Sequence, residues 1–403
     1  MSETNVRSKN YIWGLTIFMG LIGLLDQYTS LVEGPLLPFI IAEFGINEQE
    51  FALWQGIFGI ITFAVFFIAW FSDAFGRKKG ILLLILILGI SDFLILFAGN
   101  FFLFMFLYAI AIMGTLSNLW EIPITEEAPA ERRGLYGSIA FLLALIPIYA
   151  LFADDIATAI GWRWGYGIMF FLMLALLIPW YFMKEPQRWI DTHKERGSKA
   201  IKIKTALKTL NRTDIRYILM CSIIYGLWTI SFKMGATFAR TYPTLTPVYS
   251  SILTIGGLLT MVGAVICGIS TDKLGRNATL IIGCVGSVLG FFIMAIPVTD
   301  VAKIGFWMVY LFMPILMGWI MIYFGEIFPT KIRSTAVGIT TTAARLSYVI
   351  GPLISSGIFL VTNTNYMVFW IMAGVFMIIP LLSLLIKPYE TKGKTLEEVQ
   401  KER

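Results

Sequence analysis

Residues 71–79 read FSDAFGRKK, and residues 269–277 read ISTDKLGRN. Asp73, Gly76 and Arg77 of the first stretch recur as Asp272, Gly275 and Arg276 of the second, each 199 positions on. Another pair of loops keeps nearly the same step. EEAPAERRG at 126–134 and EIFPTKIRS at 326–334 align Glu126, Pro129 and Arg133 with Glu326, Pro329 and Arg333, each 200 positions on. Two separate loops repeating at almost one offset mark an internal duplication, and a duplication of this length sets the architecture.

The sequence around these loops is apolar. Of 403 residues 58% are hydrophobic and only 14% charged, against about 25% charged in soluble domains. Twelve segments, near 11–38, 51–71, 80–97, 101–125, 134–152, 163–183, 216–242, 249–269, 277–297, 302–325, 335–359 and 366–386, are apolar over the ~20 residues that cross a hydrocarbon core. The reading is an all-α polytopic membrane protein of twelve transmembrane helices in two pseudo-symmetric halves, about 1–183 and 216–386. A charged linker at 184–215 joins them, and a tail occupies 387–403. The linker carries nine Lys/Arg and four Asp/Glu. Within it, SKAIKIKTALKTL places Ala200, Ile203, Leu207 and Leu210 at helical spacing, which predicts a short amphipathic helix on the inner membrane face.

Basic residues set the orientation. With the N-terminus inside, the inner face collects Arg7, Lys9, Arg77, Lys78, Lys79, Arg132, Arg133, the linker bases, Lys273, Arg276, Lys331, Arg333 and the basic tail. The outer face keeps Arg163, Arg240 and Lys303, with acids Glu43, Glu48, Glu50, Asp154, Asp155 and Asp300. Both termini are therefore expected in the cytoplasm, of a multi-pass protein of the cell membrane. The net charge of +6 follows from this bias and gives nucleic acid no role. MSETNVRSKN reads as a polar tail before a full-length span rather than a cleaved signal peptide. Cys221, Cys267 and Cys284 fall in spans without metal-ligand spacing, and His193 is the only histidine. No metal, cofactor, enzymatic site or histidine relay is expected. No G-x-x-x-x-G-K-(S/T) loop occurs, which disfavours an ATP-driven pump.

These loops resemble those of the major facilitator superfamily, whose signature is G-x-x-x-D-(R/K)-x-G-(R/K). The second copy is complete, with Gly268, Asp272, Lys273, Gly275 and Arg276; the first has Ala69 and Ala74 at two signature positions. E-x-x-P-x-x-x-R after spans 4 and 10 narrows the likeness to sugar porters, metabolite–proton symporters and organic-ion carriers. KEPQRW at 184–189 and KPYETKGKTLEE at 387–398 resemble sugar-porter end motifs. The resemblance implies two six-helix bundles around a central cavity, a monomer in the bilayer, and rocking that exposes a midplane site to each side in turn. It also implies that Asp73, Gly76, Arg77, Glu126 and Arg133, with Asp272, Gly275, Arg276, Glu326 and Arg333, latch one conformation.

Ionisable residues inside spans are functional candidates, because they rarely face lipid. Asp26 and Glu33 lie in span 1, Asp92 in span 3, Glu121 in span 4, Lys233 in span 7 and Arg345 in span 11. Asp92 reads as a structural hydrogen-bonding group of its own half. Glu121, at the inner end of span 4, reads as part of the gate with Arg132 or Arg133. Asp26 and Glu33 are seven residues apart and share one helix face. Lys233 lies 200 positions after Glu33, at the symmetric place on span 7, so the two are candidate partners. Pro35 and Pro38 free carbonyls at Leu31 and Gly34 and are expected to bend span 1. Aromatic and polar side chains on cavity spans (Tyr28, Asn118, Trp120, Tyr225, Trp228, Trp319 and Tyr323) are candidate solute contacts.

The expected function is secondary active transport of a small solute, with Asp26 and Glu33 as proton-coupling groups. Lys233 and Arg345 suit an organic anion. The end motifs favour a sugar or polyol, although span 7, SIIYGLWTISFK, lacks the paired glutamines of sugar porters. A cationic drug and a non-transporting sensor on the same fold remain the alternatives.

Overall fold

The computed structural model describes residues 7–115, 117, 119–129, 132–187, 189–191, 210–328, 333–386, 388–394 and 396–402. The expected linker helix and His193 lie outside these residues, as does Asn118.

Apolar surroundings leave a backbone no water to bond, so spans close their hydrogen bonds internally as helices. Among the described residues eleven helices are long and apolar enough to cross a membrane, and with α3 they make twelve: α1 (Lys9–Phe44), α2 (Glu48–Phe75), α3 (Arg77–Ile95), α4 (Phe101–Ile124), α5 (Leu135–Ile160), α6 (Arg163–Phe182), α7 (Arg212–Phe238), α8 (Thr246–Lys273), α9 (Arg276–Met294), α10 (Thr299–Phe324), α11 (Ala336–Thr362) and α12 (Tyr366–Ile386). A short helix, α13 (Leu396–Glu402), ends the chain. No strand occurs among the described residues.

Local sequence sets the ends. Asn47 with Glu50, and Asn211 with Asp214, close reciprocal capping boxes at the starts of α2 and α7. Gly76 and Gly275 precede α3 and α9 at φ +114° and +101°, a backbone region that only glycine enters cheaply. Near the prolines of α1 the regular helix pauses at Val32, and the Leu36 N–H reaches the Val32 carbonyl at 3.4 Å.

The chain forms two compact units. Among described residues the first gathers 7–40 and 61–191, the second 41–60 and 210–402. Within the first, α1 packs on α5, α3 on α4, and α3 on α6. Within the second, α7 packs on α11, α9 on α10, and α9 on α12. The same helix pairs recur six helices later, so the duplication read from the loops is also a duplication of packing. Residues 41–60 belong by sequence to the first half but pack in the second unit, where Glu48–Phe58 lies on α11. A Cβ on Gly56 would meet Leu353 at 2.7 Å, so that contact depends on the missing side chain.

Candidate functional site

In the first unit, α1 turns Asp26 inward, 2% exposed. Trp120 of α4 packs on Gly23, one turn earlier, and lies beside Asp26 together with Glu121. Asp26 Oδ2 is buried with no hydrogen-bond partner among the described residues, and the Trp120 indole N–H stands beside the carboxyl group. An acid without a base at that depth needs a proton or another charge to be stable. Glu121, expected in the gate with Arg132 or Arg133, stands within electrostatic reach of Asp26.

Further along α1 is a set of buried hydroxyls and carboxylates. Thr29 donates to Asp92 Oδ2 at 2.6 Å. Tyr108 donates to Glu33 Oε2. Asp26 and Glu33 thus both face α4, as their seven-residue spacing predicts. The expected hydrogen bond of Asp92 is present, and its partner lies in its own half. Tyr28 is 2% exposed and donates to the Gly165 carbonyl at 2.6 Å, so its hydroxyl is committed to helix packing in this conformation.

In the second unit two basic side chains lie near Tyr348. Lys233 Nζ of α7 lies 6.0 Å from the Tyr348 ring centroid. Arg345, three residues before Tyr348 on α11, interacts electrostatically with the phenols of Tyr225 and Tyr348. Aromatic rings adjoin them. Trp228 stacks on Phe232 at 5.0 Å and adjoins Tyr225 at 6.2 Å, and Tyr225 meets Phe324 edge-on. Trp228 donates its N–H to the Met313 carbonyl at 2.8 Å, which fixes the indole. Trp319 and Tyr323 stack at 4.8 Å but are fully buried, and Tyr323 donates to the Tyr389 carbonyl. Tyr323 thereby anchors α10 to the chain after α12.

The repeated loops form a matched pair of ionic networks. Arg77 bonds Asp73 and reaches Glu126 at 3.2 Å. Arg276 holds Glu326 with two bonds, at 2.9 and 2.6 Å, and donates to the Thr271 carbonyl at 3.0 Å. Each network has an acid that the loop motifs do not contain. Glu185 accepts from the backbone N–H groups of Arg77 and Lys78 at the start of α3. Glu390 accepts from those of Arg276 and Asn277, at 2.9 and 3.0 Å, at the start of α9. A helix N-terminus presents free N–H groups and partial positive charge, which suits a carboxylate. Partial burial pushes the Glu185 carboxyl above its usual range, against these same N–H bonds. Both acids lie in the end motifs quoted above, but the sequence does not say what they touch. Asp272 is exposed, and the side chains of Arg133 and Arg333 lie outside the described residues. Thr29, Tyr108, Tyr166 and Tyr348 carry no sequence signal, because threonines and tyrosines are common in apolar spans.

Comparison with known proteins agrees with this architecture. The family model of the Major Facilitator Superfamily matches residues 18–325. A putative metabolite transport protein of Bacillus subtilis, YwtG, is 27% identical, covering 98% of this chain and 96% of its own. The glucose transporter GlcP of Staphylococcus epidermidis is 24% identical, covering 82% and 83%. Among solved structures, the partially occluded inward-open xylose transporter XylE of E. coli superposes with a TM-score of 0.75 at 18% identity, covering 96% of this chain and all of that one. Duplicated helix packing, repeated ionic loops and a match over most of the sequence lead to one conclusion: the chain belongs to the Major Facilitator Superfamily, as a sugar-porter-like secondary transporter.

Proposed function

We propose that the protein moves a small organic anion across the cell membrane by alternating access, coupled to protons in symport. The observation that supports the solute class is the placement of Lys233 over Tyr348 and of Arg345 within electrostatic reach of Tyr348 and Tyr225, with Trp228 and Phe232 beside Tyr225. Basic side chains at membrane depth are rare and mark solute paths, their charge suits an anionic group, and the rings offer apolar surface to the rest of a small solute. Asp26 is the proton-coupling group: it is buried, and its Oδ2 has no hydrogen-bond partner among the described residues.

The test is ligand-induced thermal stabilisation of the purified protein against organic acids, sugars and amines. An organic acid should stabilise it, and Arg345→Gln should weaken that binding at least tenfold, since a charge-assisted bond contributes about 1.5–3 kcal/mol. A neutral sugar that stabilises both forms equally would replace the anion reading. A sugar or polyol is the second reading, favoured by the likeness to a glucose transporter over four-fifths of the chain.

A further inference from the structure

We propose that the part of the solute resting on the second unit is an aromatic carboxylate, not a hydroxylated acid. The anion is taken from the function proposed above, on which this rests; the ring comes from what surrounds the bases. Tyr225, Phe232 and Lys233 of α7, and Arg345 and Tyr348 of α11, are all half-buried, whereas Trp228 is buried. Tyr225 belongs to two groups at once. It lies within electrostatic reach of Arg345 and adjoins Trp228 at 6.2 Å. Trp228 carries the ring group on to Phe232, to which it is nearly parallel, with an interplanar angle of 9°. The bond from its indole N–H to the Met313 carbonyl fixes Trp228, and so sets the place of the ring stacked on it. From Tyr225 to Phe232 is seven residues, two turns and about 10 Å of α7. Arg345 stands by the Tyr225 end of this row, and Lys233 follows Phe232 at the other.

The helices of this unit are poor in groups that recognise hydroxyls. Amide side chains both donate and accept, which suits the hydroxyls of a sugar or a sugar acid. Between 212 and 386 the sequence has Asn only at 277, 363 and 365, and no Gln. Asn277 and Asn365 stand at the starts of α9 and α12, and Asn363 at the end of α11. The Asn277 amide donates to the Pro388 carbonyl at 3.1 Å. On α7, Thr229 donates to the Tyr225 carbonyl and Ser231 to the Ala373 carbonyl, each at 2.9 Å. A polyhydroxyl solute on this surface gives up bonds to water without replacing them, a cost that a bare ring does not meet. A ring gains instead. Aromatic pairs, offset or edge-on, are favourable beyond the area they bury, and the residues here already pair both ways, Phe232 on Trp228 and Tyr225 against Phe324. A saturated ring of the same size fills the same space without that gain. The carboxylate goes to the bases, and the ring to the row beside them.

The experiment titrates the purified protein with four probes and takes dissociation constants from the rise in Tm. The probes are benzoate, cyclohexanecarboxylate, benzamide and glucuronate. Benzoate should bind tightest. Cyclohexanecarboxylate, equal in charge and similar in size, should bind about threefold to tenfold more weakly, and glucuronate more weakly still. Phe232→Leu should bring benzoate and cyclohexanecarboxylate to within about twofold of each other. Benzamide keeps the ring and drops the charge, so the benzoate–benzamide pair tests the anion and the benzoate–cyclohexanecarboxylate pair tests the ring. Cyclohexanecarboxylate or glucuronate binding as tightly as benzoate, with benzamide at least tenfold weaker, overturns the aromatic proposal and leaves the anion reading standing. Benzamide binding as tightly as benzoate, or no binding of benzoate, overturns both. The four-probe comparison on the unaltered protein decides the matter even if Phe232→Leu does not fold.

Discussion

Replacing Arg276 by Gln tests the repeated ionic loops most directly. Arg276 meets Glu326 through two parallel bonds, with side chains 10% and 26% exposed, and bonds the Thr271 carbonyl as well. Charge-assisted bonds contribute about 1.5–3 kcal/mol each when shielded. Solvent screens a pair that is one-quarter open, so the bonds do not add in full. The expected cost of Arg276→Gln is about 2–3 kcal/mol, part of it from stranding Glu326. The first copy is weaker by geometry. Arg77 reaches Glu126 once, at 3.2 Å, and its other partner, Asp73, is 68% exposed. Arg77→Gln should therefore cost only about 1 kcal/mol. Equilibrium unfolding in mixed micelles measures both. A double-mutant cycle of Arg276→Gln with Glu326→Gln should give a coupling near ~2 kcal/mol, and additivity within about 0.5 kcal/mol would refute the bidentate reading. Equal costs for Arg77→Gln and Arg276→Gln would refute the ranking of the two copies.

Three further outcomes are expected. Asp26→Asn should abolish pH-driven uphill uptake while sparing exchange down a solute gradient; normal uphill uptake removes Asp26 from the mechanism. Glu33→Gln and Lys233→Gln should each destabilise the carrier, and Glu33→Lys with Lys233→Glu should recover part of the loss if the pair forms during transport. If the Tyr108 bond is instead the whole role of Glu33, the swap rescues nothing and the single changes are additive within about 0.5 kcal/mol. Cysteines at Glu48 and Asp300 should react with impermeant thiol reagents from outside, and one at Lys199 only after permeabilisation; the reverse pattern overturns the orientation.

The sequence determined the helix count and the duplication. Hydropathy acts locally, since a span must satisfy its own backbone, so twelve apolar runs read directly as twelve helices. The 199- and 200-residue offsets survive because each loop needs a particular residue type: a glycine at positive φ, an arginine that reaches a carboxylate. The same reasoning found Asp26, Glu33, Lys233 and Arg345, because a charge inside an apolar run stands out one residue at a time. Tertiary structure decided what those charges touch. Hydroxyls from α1 and α4 serve Asp92 and Glu33, and a ring on α11 adjoins Lys233; these contacts join residues 63, 75 and 115 positions apart, with no periodicity to announce them. Glu121 stands within electrostatic reach of Asp26, a neighbour that the sequence does not announce. Residues 41–60 pack in the second unit, where Gly56 leaves room for Leu353, a complementarity between surfaces nearly 300 residues apart. Hydrophobic pattern is a property of one helix, but the partner of a buried polar atom is a property of two.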